Sequence, residues 1–229
     1  MPIAELIRLL GQTVAYSLQR LDLLLIIAVV MVMIYSQYQR TAMVEQRLFG
    51  HARNRPREQM LHAVVDGLVG GAIATAVFVV VGVSLNQVGV WYLWGLALLL
   101  MLIHPRFMCF SYGAGILALS HLLFGVPDVD VPALMALVAV LHLVESILIL
   151  ISGARAATPV YVRSGQGPVV GAFSLQKFWP LPFIALVGAT VPVELLQAAQ
   201  SVEMPDWWPI IRPLREAAPG MQYAFALFP

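Results

Sequence analysis

Charge is the scarcest commodity in this sequence. Only 11% of its 229 residues are Asp, Glu, Lys or Arg, against about 25% in an average soluble domain. A water-facing globule with so little charge could not cover its surface, so an ordinary cytosolic enzyme is excluded. Disorder is excluded for the opposite reason: 60% of the residues are hydrophobic, and disordered chains are poor in such residues. Cysteine is almost absent. The single Cys109 rules out a disulfide framework and, lying in an apolar stretch, reads as a small core residue. Thirteen basic and 12 acidic residues leave a net charge of +1, so no broad positive field invites nucleic acid. Motifs of soluble enzymes are missing as well: there is no G-x-x-x-x-G-K-[ST], H-E-x-x-H, C-x-x-C or G-x-S-x-G. Gly165-Gln166-Gly167 lies in a loop rather than between a strand and a helix, so it is not a nucleotide fingerprint.

What the chain has in abundance is long apolar runs. A spanning helix needs about 20 mostly apolar residues, because lipid offers no partner to backbone polar groups. Six runs qualify, at 21–38, 63–83, 88–103, 107–124, 131–152 and 181–197. Turn chemistry separates them at Ser84-Leu85-Asn86, His104-Pro105-Arg106 and Gly125-Val126-Pro127-Asp128. No small-residue cleavage site follows Leu21–Ile34, so the first run reads as a retained helix. The fold class expected is all-α, a polytopic transmembrane bundle of about six spans over residues 1–200, interrupted by one short hairpin-like loop.

The few charges give the bundle a direction. With six spans, Arg40, Arg47, Arg53, Arg55, Arg57, Arg106, Arg155, Arg163 and Lys177 share one side, nine of 13 basic residues. The positive-inside rule makes that side cytoplasmic. Tyr35 and Tyr38 mark the inner end of the first span, Trp91, Tyr92 and Trp94 the outer end of the third, and Trp179 and Trp207-Trp208 flank the sixth. Residues 201–229 form an interfacial Pro/Trp segment, whose apolar restart after Gly220 is expected to lead into a further helix beyond these residues.

Ionisable residues at depth are functional-site hypotheses. His142 and Glu145 stand near the middle of the fifth span on one face (i, i+3). Such a pair can bind a metal, relay protons, or close a polar contact between helices. The nearest further ligand, His121, lies roughly 12 Å shallower, which favours the polar contact over a metal site. No cofactor is expected. Asp22, Asp66 and Glu194 are near span ends and are expected to reach the interface. Gly67-x-x-x-Gly71 and the stretch with Gly113 and Gly115 offer small-residue faces for helix packing. In the loop after the fifth span, Pro159–Arg163 and Val169–Leu175 alternate as two short strands around a Gly165-Gln166-Gly167 turn. Tyr161, Arg163, Lys177 and Trp179 are its candidate surface for a protein partner.

Three stretches resemble the membrane portion of MinJ-like proteins: Pro105–Tyr112; His142-Leu143-Val144-Glu145-Ser146; and Thr158-Pro159-Val160 followed by Val170–Pro182, which includes Phe173-Ser174-Leu175-Gln176-Lys177-Phe178-Trp179-Pro180. The resemblance covers residues 104–185, about a third of the chain. Members of that family are multi-span proteins of the Gram-positive cell membrane with a C-terminal PDZ domain. They link the polar coiled-coil protein DivIVA to the MinD/MinC division inhibitor. The resemblance implies a non-enzymatic scaffold at the septum or pole, with DivIVA-like and MinD-like partners besides lipid, and self-association as a further possibility. It supplies no catalytic residues, and no PDZ domain lies in these 229 residues. The alternative reading of the residues is a small transporter or channel with His142 and Glu145 in a polar pathway.

Overall fold

A computed structural model describes residues 3–83, 85, 88–103, 107, 109–155, 157–163, 165, 167–175, 177–189 and 222–228. In chain order the elements are α1 (Ile3–Ser17), α2 (Leu21–Phe49), α3 (Pro56–Val81), α4 (Val90–Ile103), α5 (Phe110–Phe124), α6 (Val131–Ser152), β1 (Thr158–Arg163), β2 (Val169–Ser174), β3 (Phe183–Ala189) and β4 (Gln222–Phe228). The protein is mostly helical. Three helices, α2, α3 and α6, are long and apolar enough to cross a membrane, and α4 and α5 are shorter apolar helices. This is the composition of a helical membrane protein.

The helices begin and end where backbone chemistry dictates rather than where hydrophobicity fades. α6 has the bounds expected of the fifth run. α2, in contrast, continues past Tyr38 to Phe49, and α3 starts at Pro56, before the apolar run at 63. Gly50 stops α2 in the left-handed conformation (φ 77°), its N–H returning to the Gln46 carbonyl. Pro56 opens α3 at the first helical position, where its missing N–H costs nothing. Between them the buried Glu45 carboxylate accepts hydrogen bonds from the Arg53 N–H (2.9 Å), the Asn54 N–H (3.2 Å) and the Asn54 side-chain amide (3.3 Å).

The chain forms two compact units. One comprises Met1–Ser17, Ala74–Leu143 and Phe183–Phe228. Within it β3 and β4 pair antiparallel, Phe183 opposite Phe228 and Ala189 opposite Gln222. Phe183 stacks on Phe78 of α3 (5.0 Å between ring centres) and on Phe228 (5.5 Å). The Ile184 N–H donates to Thr75 Oγ1 (2.9 Å) and the Leu85 N–H to the Leu186 carbonyl (2.8 Å). Residues 183–186 are buried. In the same unit α4 lies against α5, with Trp94 edge-on to Phe110. Asp130 caps α6, accepting from the Ala133 N–H at 3.0 Å.

This sheet corrects one expectation. Residues 183–189, the opening of the supposed sixth span, are a strand, and the chain is therefore not all-α; residues 190–197 of that run lie outside the described residues. The apolar restart after Gly220 forms the strand β4, Gln222–Phe228. Pro180 and Pro182 explain the change at 183–189, since each biases the residue before it toward extended backbone. A seven-residue apolar run carries no periodicity that separates a buried strand from a helix.

The second unit comprises Leu18–Ile73 and Val144–Pro182. Here β1 and β2 form the expected hairpin, antiparallel from Thr158 opposite Ser174 to Arg163 opposite Val169, with Gly165 in the turn at φ 56°. Ile34, Tyr38 and Ala63 form a buried cluster against which Val30, Met60, Phe178 and Trp179 pack.

Candidate functional site

The second unit contains a polar pocket built from four pieces of chain. α2 contributes Tyr38 and Thr41; α3 contributes Gln59, His62, Ala63 and Asp66; Arg155 and Thr158 follow α6; Lys177 and Trp179 come from the segment after β2. The α3 residues recur at helical spacing (i, i+3, i+4, i+7), so one face of its first turns lines the cavity. Its volume is about 30 Å³, where a single water needs about 10–15 Å³. A small polar group fits and a whole metabolite does not.

Local hydrogen bonds hold the wall in place. The Tyr38 hydroxyl donates to the Phe178 carbonyl (3.0 Å) and accepts from the Phe178 N–H (3.4 Å), while the two rings meet edge to face. Lys177 Nζ donates to the Ser152 carbonyl (2.5 Å) at the end of α6, which also accepts from the Arg155 N–H (3.0 Å). Arg155 approaches Asp66 at 3.6 Å, the carboxylate side chain being 12% exposed and the guanidinium 50%. Asp66 is therefore withdrawn from solvent rather than reaching out into it, and a residue from a loop distant in sequence comes to it. Burial pushes the Lys177 ammonium below the usual lysine range; Asp66 opposes that shift and Arg155 adds to it. Two buried N–H groups in this wall have no hydrogen-bond partner, Gln59 Nε2 and Trp179 Nε1. Each such group costs about 1–3 kcal/mol.

The four candidate loop residues part company here. Tyr161 and Arg163 are exposed on β1, whereas Lys177 and Trp179 are half-buried and line the pocket. By register Tyr161, Arg163, Val169 and Phe173 share one face of the hairpin. Tyr161 and Phe173 are 57% and 64% exposed there, with Phe49 touching the Tyr161 ring at 5.7 Å.

His142 and Glu145 have separate surroundings. The Val138 carbonyl lies 2.8 Å from His142 Nδ1, which must carry the proton, because a carbonyl only accepts. The Cys109 thiol lies 3.3 Å from Nε2. Ser111 Oγ is 3.0 Å from the same sulfur. Glu145 is exposed and forms no hydrogen bond or ion pair among the described residues. No group of three or more His, Cys, Asp or Glu is placed to hold a metal among the described residues.

The glycine faces also differ from expectation. Cβ atoms added at Gly67 and Gly71 would collide with the Pro180 and Pro182 carbonyls, so an extended segment, not a helix, occupies that face. Gly113 seats Leu93 of α4, while Gly115 has open space around it.

No family model, curated protein or solved structure matches the chain. Sequence reasoning missed Gln59 and Glu45 altogether, since a lone polar residue near a helix end carries no pattern. It also missed the contact of Cys109 with His142, which joins residues far apart in the chain. Asp130 was missed too, although an Asp directly before an apolar helical run is a start signal.

Proposed function

We propose that the chain is a non-enzymatic integral membrane scaffold that presents the β1–β2 hairpin to a protein partner. The observation that carries this is the exposed face of Tyr161, Arg163, Val169 and Phe173 on a strand pair that no third strand joins among the described residues. A two-stranded ribbon offers unpaired backbone groups along both sides, and a partner segment adding a strand would satisfy them. Arg163 selects a segment that brings a carboxylate beside its apolar residues. The resemblance to MinJ-like proteins falls on this hairpin and makes DivIVA-like and MinD-like proteins the partners to test, at the bacterial septum or pole. A polar pathway through His142 and Glu145 has less support, because both His142 nitrogens have close partners and Glu145 lies exposed.

The test uses a photo-crosslinking residue at Val169, exposed on the same face, in living cells, together with a fluorescent fusion. The expected result is a discrete protein adduct and a septal or polar signal, both lost in Tyr161→Ala/Phe173→Ala while membrane insertion persists. A uniform membrane signal with no adduct would sink the scaffold reading.

A further inference from the structure

We propose that the pocket of Gln59, Arg155, Lys177 and Trp179 binds an oxyanion, specifically a phosphate group. The site is separate from the hairpin face, and neither role requires the other.

Four observations converge. The two unpartnered buried groups, Gln59 Nε2 and Trp179 Nε1, are both N–H donors, so the missing ligand is an acceptor. Gln59 is 8% exposed, so bulk water does not serve it. Two cations, Arg155 and Lys177, line the same space against a single carboxylate, Asp66, which already faces Arg155 at 3.6 Å. The cavity holds a small group only. A water molecule would accept from the two donors but leave the excess positive charge in place. A phosphate presents oxygens in several directions and suits a guanidinium, an ammonium and two fixed N–H donors together. The pocket also lies where the apolar runs of α2 and α3 give way to polar sequence, at Tyr38–Thr41 and Gln59–Asp66. Lipid phosphates occupy that level of a bilayer. A lipid headgroup and a free phosphate share this chemistry, and the experiment separates them.

Lys177 is the sequence's single lysine, so protein grown on carbon-13 lysine carries one reporter, at the pocket. The full chain is held in maltoside micelles, whose headgroups contain no phosphate. One arm adds inorganic phosphate, a second adds phosphatidic acid, and a third adds chloride at matched ionic strength. The expected result is a saturable shift of the Lys177 Cε signal and a higher titration midpoint, because a bound anion favours the ammonium. The charged and titratable groups around it are Asp66, Arg155, His62 and Tyr38. A response to phosphatidic acid alone assigns a lipid headgroup; a response to inorganic phosphate assigns a free ion. Gln59→Leu and Trp179→Phe each delete a donor without adding charge and should weaken binding about tenfold or more. A Lys177 signal that moves no further with phosphate or phosphatidic acid than with chloride overturns the proposal and leaves water as the occupant. Undiminished affinity in both donor variants overturns it as well, and the unsubstituted protein alone decides if neither variant folds.

Discussion

Two residues carry disproportionate weight because each is polar and withdrawn from water. Glu45 is fully buried and accepts from two backbone N–H groups and one side-chain amide of the α2–α3 connection. Glu45→Ala leaves those donors unpaired and should cost about 1–3 kcal/mol in an unfolding titration. Glu45→Gln keeps one acceptor oxygen and should cost less. Lys177 has the opposite character. Its ammonium is held below the ordinary lysine value, mainly by burial. Between the depressed folded value and the ordinary unfolded one, the unfolded chain binds more protons, so stability rises with pH through that window. Thermal melts of the ligand-free protein at stepped alkaline pH should show this rise, and Lys177→Met should flatten it. Neither residue announces itself in the sequence. Glu45 reads there as a polar residue in a basic stretch, and Lys177 as part of a loop surface, because burial by distant segments leaves no local pattern.

At the scale of elements, helices α2 to α6 and the hairpin were legible, and α1 and the second sheet were not. Alternation around a glycine turn identified β1 and β2, and uninterrupted apolar length identified α2 to α6. β3 shares that apolar character, but its identity depends on β4, far along the chain, and on the two prolines that deliver it extended. The small-residue pattern at Gly67 and Gly71 correctly announced close packing while misnaming what packs. Gly67→Ala and Gly71→Ala should each cost about 1–3 kcal/mol by displacing the 180–182 segment. Gly115→Ala, with open space around it, should be neutral or gain up to about 1 kcal/mol from helix propensity. The three variants compared in one denaturation series check the assignment; equal losses at all three would break it. Asp130→Ala removes the cap of α6 and should cost about 1 kcal/mol in the same series.

For the whole molecule, the charge distribution makes a statement about sidedness. Arg53 lies in the connection that follows α2, and Arg163 ends β1 of the hairpin. Phe49 and Tyr161, their near neighbours in sequence, touch. A membrane-impermeant thiol reagent should therefore label Arg53→Cys and Arg163→Cys from the same side, in a Cys109→Ala background. Labelling from opposite sides would contradict both that contact and the positive-inside assignment. The opening of the sixth run, residues 183–189, is the strand β3; the sequence reading set Arg212 and Arg215 beyond that run, on the side opposite the nine basic residues. Those two positions lie outside the described residues.

The glycine face of α3 has a consequence for the order of synthesis. α3 leaves the ribosome long before Pro180 and Pro182, the residues that will cover Gly67 and Gly71. During that interval the groove stands open beside newly inserted helices, any of which could dock in it by the same close approach. Correct assembly therefore depends on timing: the groove must stay vacant, or be shielded by the insertion machinery, until the proline-bounded segment arrives.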